Sequence, residues 1–74
     1  MVNDVKIGSL YQHYKGMNYR VLGLAKHSET LEWMVHYECL YANSEAIFWV
    51  RPLGMFCETI ELNGKTVPRF KLLE

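Results

Sequence analysis

Between Leu31 and Tyr41 the chain alternates with period two. Leu31, Trp33, Val35, Tyr37, Cys39 and Tyr41 hold the odd positions, and Glu32, Met34, His36, Glu38 and Leu40 the even ones. Successive side chains of an extended strand point to opposite faces, so the segment reads as a half-buried strand with one apolar and one mainly polar face. A helix over the same residues would align Leu31, Met34, Val35 and Cys39 but leave Trp33, Tyr37 and Tyr41 off the stripe, and the aromatic content also favours a strand. The middle of the chain is therefore committed to a sheet. A length of 74 residues then excludes two-domain enzymes, dinucleotide-binding sheets with crossover helices, eight-stranded α/β barrels and repeat arrays, all of which need more chain.

Turn chemistry divides the remainder. Residues 17–26 lie between Lys15-Gly16 and the polar run His27-Ser28-Glu29-Thr30, which predicts a hairpin with the 31–41 strand. Ala42, Asn43, Ser44 and Glu45 form the next turn. Residues 47–51 read as a short strand, apolar on both faces, whose ladder ends at Pro52 because proline has no N–H to donate. One helical turn is expected over residues 52–56, since proline is tolerated in a first turn. Asn63-Gly64 is the strongest hairpin signal in the chain, joining Thr59–Leu62 to a last strand over 67–72. An opening strand over 10–14 completes the set, with Gly8, Gly23 and Gly54 where bends or close backbone approaches are needed. The expected fold is all-β: one domain over residues 1–74, a small SH3-like antiparallel barrel of five or six short strands with one short helical turn.

Half of the residues are apolar and the formal net charge is zero, the opposite of a disordered signature. A domain this small buries only about 60% of its chain's surface, so nearly every large apolar side chain is claimed by the core. A shallow face is then a better candidate site than a deep cavity. Cys39 and Cys57 are expected as free thiols, buried small hydrophobes of a cytoplasmic protein. No signal peptide is expected, because Met1, Val2, Asn3 and Asp4 lead into Val5 and Lys6 without an apolar run. No membrane span is expected either: the longest apolar run, residues 46–50, is five long, against the roughly 20 that a span needs.

The zero net charge hides an uneven distribution. From Val5 to Ser28 there are Lys6, Lys15, Arg20 and Lys26, with His13 and His27 and no acid. From Glu29 to Glu61 six glutamates face Arg51 alone, and Lys65, Arg69 and Lys71 follow before Glu74. If the first and last strands are neighbours, the two basic ends share a side, and a dipolar surface results. His13 and Lys15 flank Tyr14 and project to one side of a strand. With His27, Glu29 and Thr30 in the second turn, Arg51 and Arg69 complete a candidate ligand-binding set. Arg would hold a phosphate or carboxylate in a bidentate fork and Lys as a point charge. The competing structural reading pairs Arg51 and Arg69 with glutamates such as Glu32 or Glu58 and uses His27 and Thr30 to satisfy turn backbone.

The preferred functional expectation is a binding module for an anionic small molecule or anionic partner. Two alternatives stay beside it: a small enzyme built on a His/Glu/Arg cluster, and a binder of single-stranded nucleic acid on aromatic platforms. Neutral net charge disfavours the second, which normally depends on long-range attraction. Trp33, Tyr37, Tyr41 and Trp49, with Met17, Met34 and Met55, would suit a protein partner or a homodimer. No cofactor or metal is implied. His36 and Cys39 have opposite strand parity, no closed zinc spacing occurs, and Lys15-Gly16 lacks the rest of a phosphate loop.

Several strings stand in a familiar order. They are Gly8, Tyr11-Gln12-His13-Tyr14-Lys15-Gly16, Tyr19-Arg20-Val21, His27-Ser28-Glu29-Thr30-Leu31-Glu32, Tyr37, Leu40-Tyr41, Trp49-Val50-Arg51-Pro52-Leu53 with Met55-Phe56, and Val67-Pro68-Arg69-Phe70. Together they resemble the small bacterial family known as domain of unknown function 1653, over roughly Gly8 to Leu72. The resemblance implies an SH3-like β fold, a cytoplasmic bacterial protein and no assigned activity. Cys57 stands where the family pattern commonly has an aliphatic residue, which argues against a catalytic thiol there.

Overall fold

The computed structural model describes residues 5–43 and 45–74. The expected leaderless start at residues 1–4, and Ser44 of the third turn, lie outside the described residues. In chain order the elements are β1 (Leu10–His13), β2 (Asn18–Lys26), β3 (Trp33–Cys39), β4 (Phe48–Pro52), α1 (Leu53–Phe56), β5 (Thr59–Leu62), β6 (Lys65–Pro68) and β7 (Phe70–Leu72). Five strands form an antiparallel sheet in the order β4-β3-β2-β1-β7, and β5 and β6 form a separate hairpin. Among the described residues no helix is long and apolar enough to cross a membrane.

The alternation in β3 does what period two requires: Val35, Tyr37 and Cys39 are buried, with less buried residues between them. The strand starts at Trp33 rather than Leu31 because Leu31 takes a left-handed backbone (φ 62) in the turn, its N–H donating to the carbonyl of His27 at 2.8 Å. β2 bends through a register shift between Val21 and Gly23, the bulge that lets a nine-residue strand curve over the core. At the β5–β6 turn Asn63 (φ 54) and Gly64 (φ 79) are both left-handed, the conformation a two-residue hairpin turn demands.

The all-β class and the single helical turn are as expected, but the described residues form seven strands and the sheets stay open. β4 and β7 are free edges of the larger sheet rather than partners in a closed barrel. The extra strand comes from residues 67–72, which do not run as one. β6 ends at Pro68, paired with Thr59, and β7 begins at Phe70, with His13 opposite it. Between them Arg69 donates its N–H to the Glu58 carbonyl (3.0 Å), and its own carbonyl accepts from Tyr14 (3.0 Å). The chain changes sheets at Arg69 because Phe70 is drawn into the core and the hairpin stays outside it. Since β1 pairs with β7, the two basic ends of the chain do lie side by side.

The core consists of Val5, Tyr11, Tyr19, Val21, Val35, Tyr37, Cys39, Phe56 and Phe70. Phe56, from α1, stacks on Phe70 at 4.2 Å with the rings nearly parallel, and Tyr11 meets Phe56 edge-on at 5.3 Å. Burying three tyrosines obliges their hydroxyls to find partners. Tyr11 accepts from the Lys6 N–H (2.9 Å), Tyr19 bonds the Tyr41 hydroxyl (2.9 Å), and Tyr37 accepts from Arg51 Nε (3.4 Å). Two of those three hydroxyls open toward the β4 edge.

Candidate functional site

Register places the candidate residues. Trp49 stands opposite Tyr37 and Arg51 opposite Val35, so both side chains share the core face of the sheet, but at its edge. Arg51 is held from two directions: Nε donates to the Tyr37 hydroxyl, and the guanidinium lies over the Phe70 ring with its carbon 5.5 Å from the centroid. Tyr19, Tyr37, Tyr41, Asn43, Trp49 and Arg51 line a pocket of about 220 Å³. Its walls are cross-braced. Asn43 Nδ2 donates to the Tyr41 hydroxyl (3.3 Å), Asn43 Oδ1 accepts from the Glu45 N–H (2.8 Å), and Trp49 Nε1 donates to the Ala46 carbonyl (3.1 Å). Burial, reinforced by the bond to Tyr41, pushes the Tyr19 phenol well above its usual value, so it stays protonated.

Among the described residues no carboxylate pairs with Arg51, and its two terminal nitrogens carry no hydrogen bond. Neither nitrogen is sealed from solvent, because among the described residues no buried side-chain nitrogen or oxygen lacks a partner. Arg51 therefore offers the pocket an oriented, unneutralised fork of donors.

Arg69 differs. Its Nε and Nη2 both donate to Glu58 Oε2, and the pair is partly exposed. His13 is 8% exposed, packed against Tyr14 (4.5 Å) and edge-on to Phe70 (5.0 Å), and its Nδ1 accepts from the Lys15 N–H at 3.2 Å. Burial first, then the charges of Arg51, Arg69 and Lys15, lowers the His13 pKa below its ordinary 6.5. His13 is thus a neutral core residue around which three cations gather, rather than a fourth cation. Lys15 itself is exposed, its ammonium 5.9 Å from the Tyr14 ring.

His27, Glu29 and Thr30 are not brought to this group. They build the turn between β2 and β3. His27 Nδ1 accepts from the N–H groups of Glu29 (3.1 Å) and Thr30 (3.3 Å), and Thr30 Oγ1 accepts from the Glu32 N–H (3.2 Å). Of the expected set, Arg51, Arg69, Lys15 and His13 are neighbours. The pocket adds Tyr19, Tyr41, Asn43 and Trp49, which charge-based reading passed over. The available signal was parity: Trp49 and Arg51 are two apart on a strand and must share a face. Among the described residues no group of three or more His, Cys, Asp or Glu is placed to hold a metal ion.

Comparison with known proteins agrees with this architecture. The family described as "Protein of unknown function (DUF1653)" matches residues 9–72. The chain is similar to the crystal structure of a protein belonging to DUF1653 from Bordetella bronchiseptica, with 38% sequence identity, a TM-score of 0.88, and coverage of 96% of this chain and 90% of that one. No curated protein matches the chain.

Proposed function

The chain belongs to the DUF1653 family, and from that premise we propose that it is a small binding module that takes an anionic group, a carboxylate or phosphate of a small molecule or of a partner, on Arg51. The observation that carries this reading is the Arg51 guanidinium, oriented by Tyr37 and Phe70 with both terminal nitrogens uncommitted. A planar fork of donors matches a carboxylate or phosphate in bidentate fashion, and an arginine already held in place loses little side-chain freedom on binding. The Tyr19 and Tyr41 hydroxyls and the Asn43 amide line the same pocket and supply further polar contacts.

At about 220 Å³ the pocket is smaller than the roughly 300 Å³ at which sites for drug-sized ligands begin, so it suits one charged group rather than a whole nucleotide. Binding is favoured over catalysis because the His27 imidazole is committed to the backbone of the β2–β3 turn, and His13 is packed among rings. The Cys39 thiol, which accepts a hydrogen bond from Asn43 Nδ2 (3.7 Å) instead of bridging, supports a reducing, cytoplasmic setting.

Titrating isotope-labelled protein with acetate and with inorganic phosphate, while following amide and Arg side-chain resonances, tests the reading. The expected shifts centre on Arg51, Trp49, Tyr37 and residues 41–43, and Arg51→Gln weakens them at least tenfold. Shifts scattered over the surface, or unchanged in Arg51→Gln, would overturn it.

A further inference from the structure

β4 is an edge of the larger sheet, and the phase of its ladder says which backbone groups are left over. Cys39 donates its N–H to the Ile47 carbonyl at 2.9 Å, which makes these two a hydrogen-bonded pair. Hydrogen-bonded and non-hydrogen-bonded pairs alternate along an antiparallel ladder. Phe48 stands opposite Glu38, Trp49 opposite Tyr37, Val50 opposite His36 and Arg51 opposite Val35. Trp49 and Arg51 therefore direct their N–H and C=O groups at β3, whereas Phe48 and Val50 direct theirs away from the sheet.

An edge of this kind is usually blunted by lysine, proline, a bulge or a covering segment. In β4 the only such device is Pro52 at its end. The side chains of Phe48 and Val50 are 59% and 58% exposed. The strand's one charge, Arg51, faces the pocket on the opposite face.

We infer that β4 accepts an extended segment of a partner protein as an added antiparallel strand, with apolar side chains against Phe48 and Val50 and an Asp or Glu in the pocket at Arg51. The inference rests on the reading of Arg51 as an anion site. In such a pairing the partner residues opposite Phe48 and Val50 exchange backbone hydrogen bonds with them and share their outer face. The residue opposite Arg51 belongs to a non-hydrogen-bonded pair, where Cα atoms approach to about 4.5 Å and side chains meet most closely. The complementary segment thus reads acid, apolar, any residue, apolar. A second copy of β4 does not fit the description, because Phe48-Trp49-Val50-Arg51-Pro52 contains no acid to meet Arg51.

The test uses the labelled full chain, a soluble unstructured peptide containing Glu-Val-Thr-Val, the same peptide with Gln for Glu, and acetate. The Glu peptide is expected to shift β4 and to slow exchange of the Phe48 and Val50 amides at least tenfold, and the Gln peptide to bind at least tenfold more weakly. Val50→Pro removes an N–H that points off the sheet, so the β3 ladder survives. It is expected to weaken peptide binding at least tenfold while acetate still reaches Arg51. Unchanged exchange at Phe48 and Val50 at saturating peptide, or peptide binding intact in a folded Val50→Pro, would sink the inference. So would a dimer that protects β4 without peptide. Acetate binding with no peptide binding overturns the added strand alone. Acetate that leaves Arg51 unmoved, with Glu and Gln peptides binding equally, overturns the anion site beneath it.

Discussion

Phe56 is the residue on which the small fold leans hardest. α1 is a single turn with no side-chain cap, and Pro52 precedes it. A helix this short has no stability of its own. It persists because Phe56, 2% exposed, stacks on Phe70 and lies 5.3 and 5.8 Å from the Tyr11 and Tyr37 rings. Truncating such a ring to alanine costs about 3–5 kcal/mol, against a total of roughly 4–11 kcal/mol for a domain of this length. Phe56→Ala should therefore lose at least about a quarter of the fold's stability, and all of it if the total lies near the lower figure. Phe56→Leu keeps much of the apolar volume and should lose about 1–2 kcal/mol, lowering Tm by about 4–8 °C per kcal/mol. Urea unfolding followed by tryptophan fluorescence measures both, with the slope expected to stay constant for the Leu variant. Phe70 also lies beneath Arg51, so the Leu variant should bind acetate more weakly while still folded. A loss below about 1 kcal/mol in Phe56→Ala would refute the argument, because a buried ring packed against three other aromatics cannot be that cheap.

Three further outcomes follow from single contacts. His13 has a folded pKa below 6.5, so the unfolded chain binds a proton more readily. Its contribution to stability is complete above pH 6.5 and is lost as the pH falls from there through the lowered folded value. Urea midpoints between pH 7.5 and 5.5 should fall more in wild type than in His13→Gln, and equal slopes would contradict the burial argument. Gly64→Ala forces a side chain into φ +79 and should cost about 1 kcal/mol by thermal unfolding, even though open space surrounds the new methyl. A double-mutant cycle with Glu58→Gln and Arg69→Gln should return a coupling of about 0.2–1 kcal/mol, since both partners are partly exposed; zero coupling would mean that the ion pair does not hold the change of sheets at Arg69.

Local chemistry was enough for much of the fold. Alternation placed β3, polar runs bounded β2, Pro52 marked the turn into α1, and Asn63-Gly64 set the β5–β6 hairpin, because strand phase and turn conformation depend on residues a few positions apart. The site was only partly legible. Sequence named Arg51, Arg69, Lys15 and His13 and offered Glu32 or Glu58 as partners for the two arginines, without deciding which arginine would be paired. Tertiary structure separates them: Glu58 neutralises Arg69, the aromatic core takes His13 out of the charge count, and Arg51 is left without an acid among the described residues. It also bears out the structural reading of His27 and Thr30, which satisfy the backbone of the turn already expected there, and it splits residues 67–72 between two sheets where periodicity showed one strand. Charge pairing, burial of a titratable ring and the identity of a sheet's open edge are set by which distant strands meet, and no window of neighbouring residues contains that information.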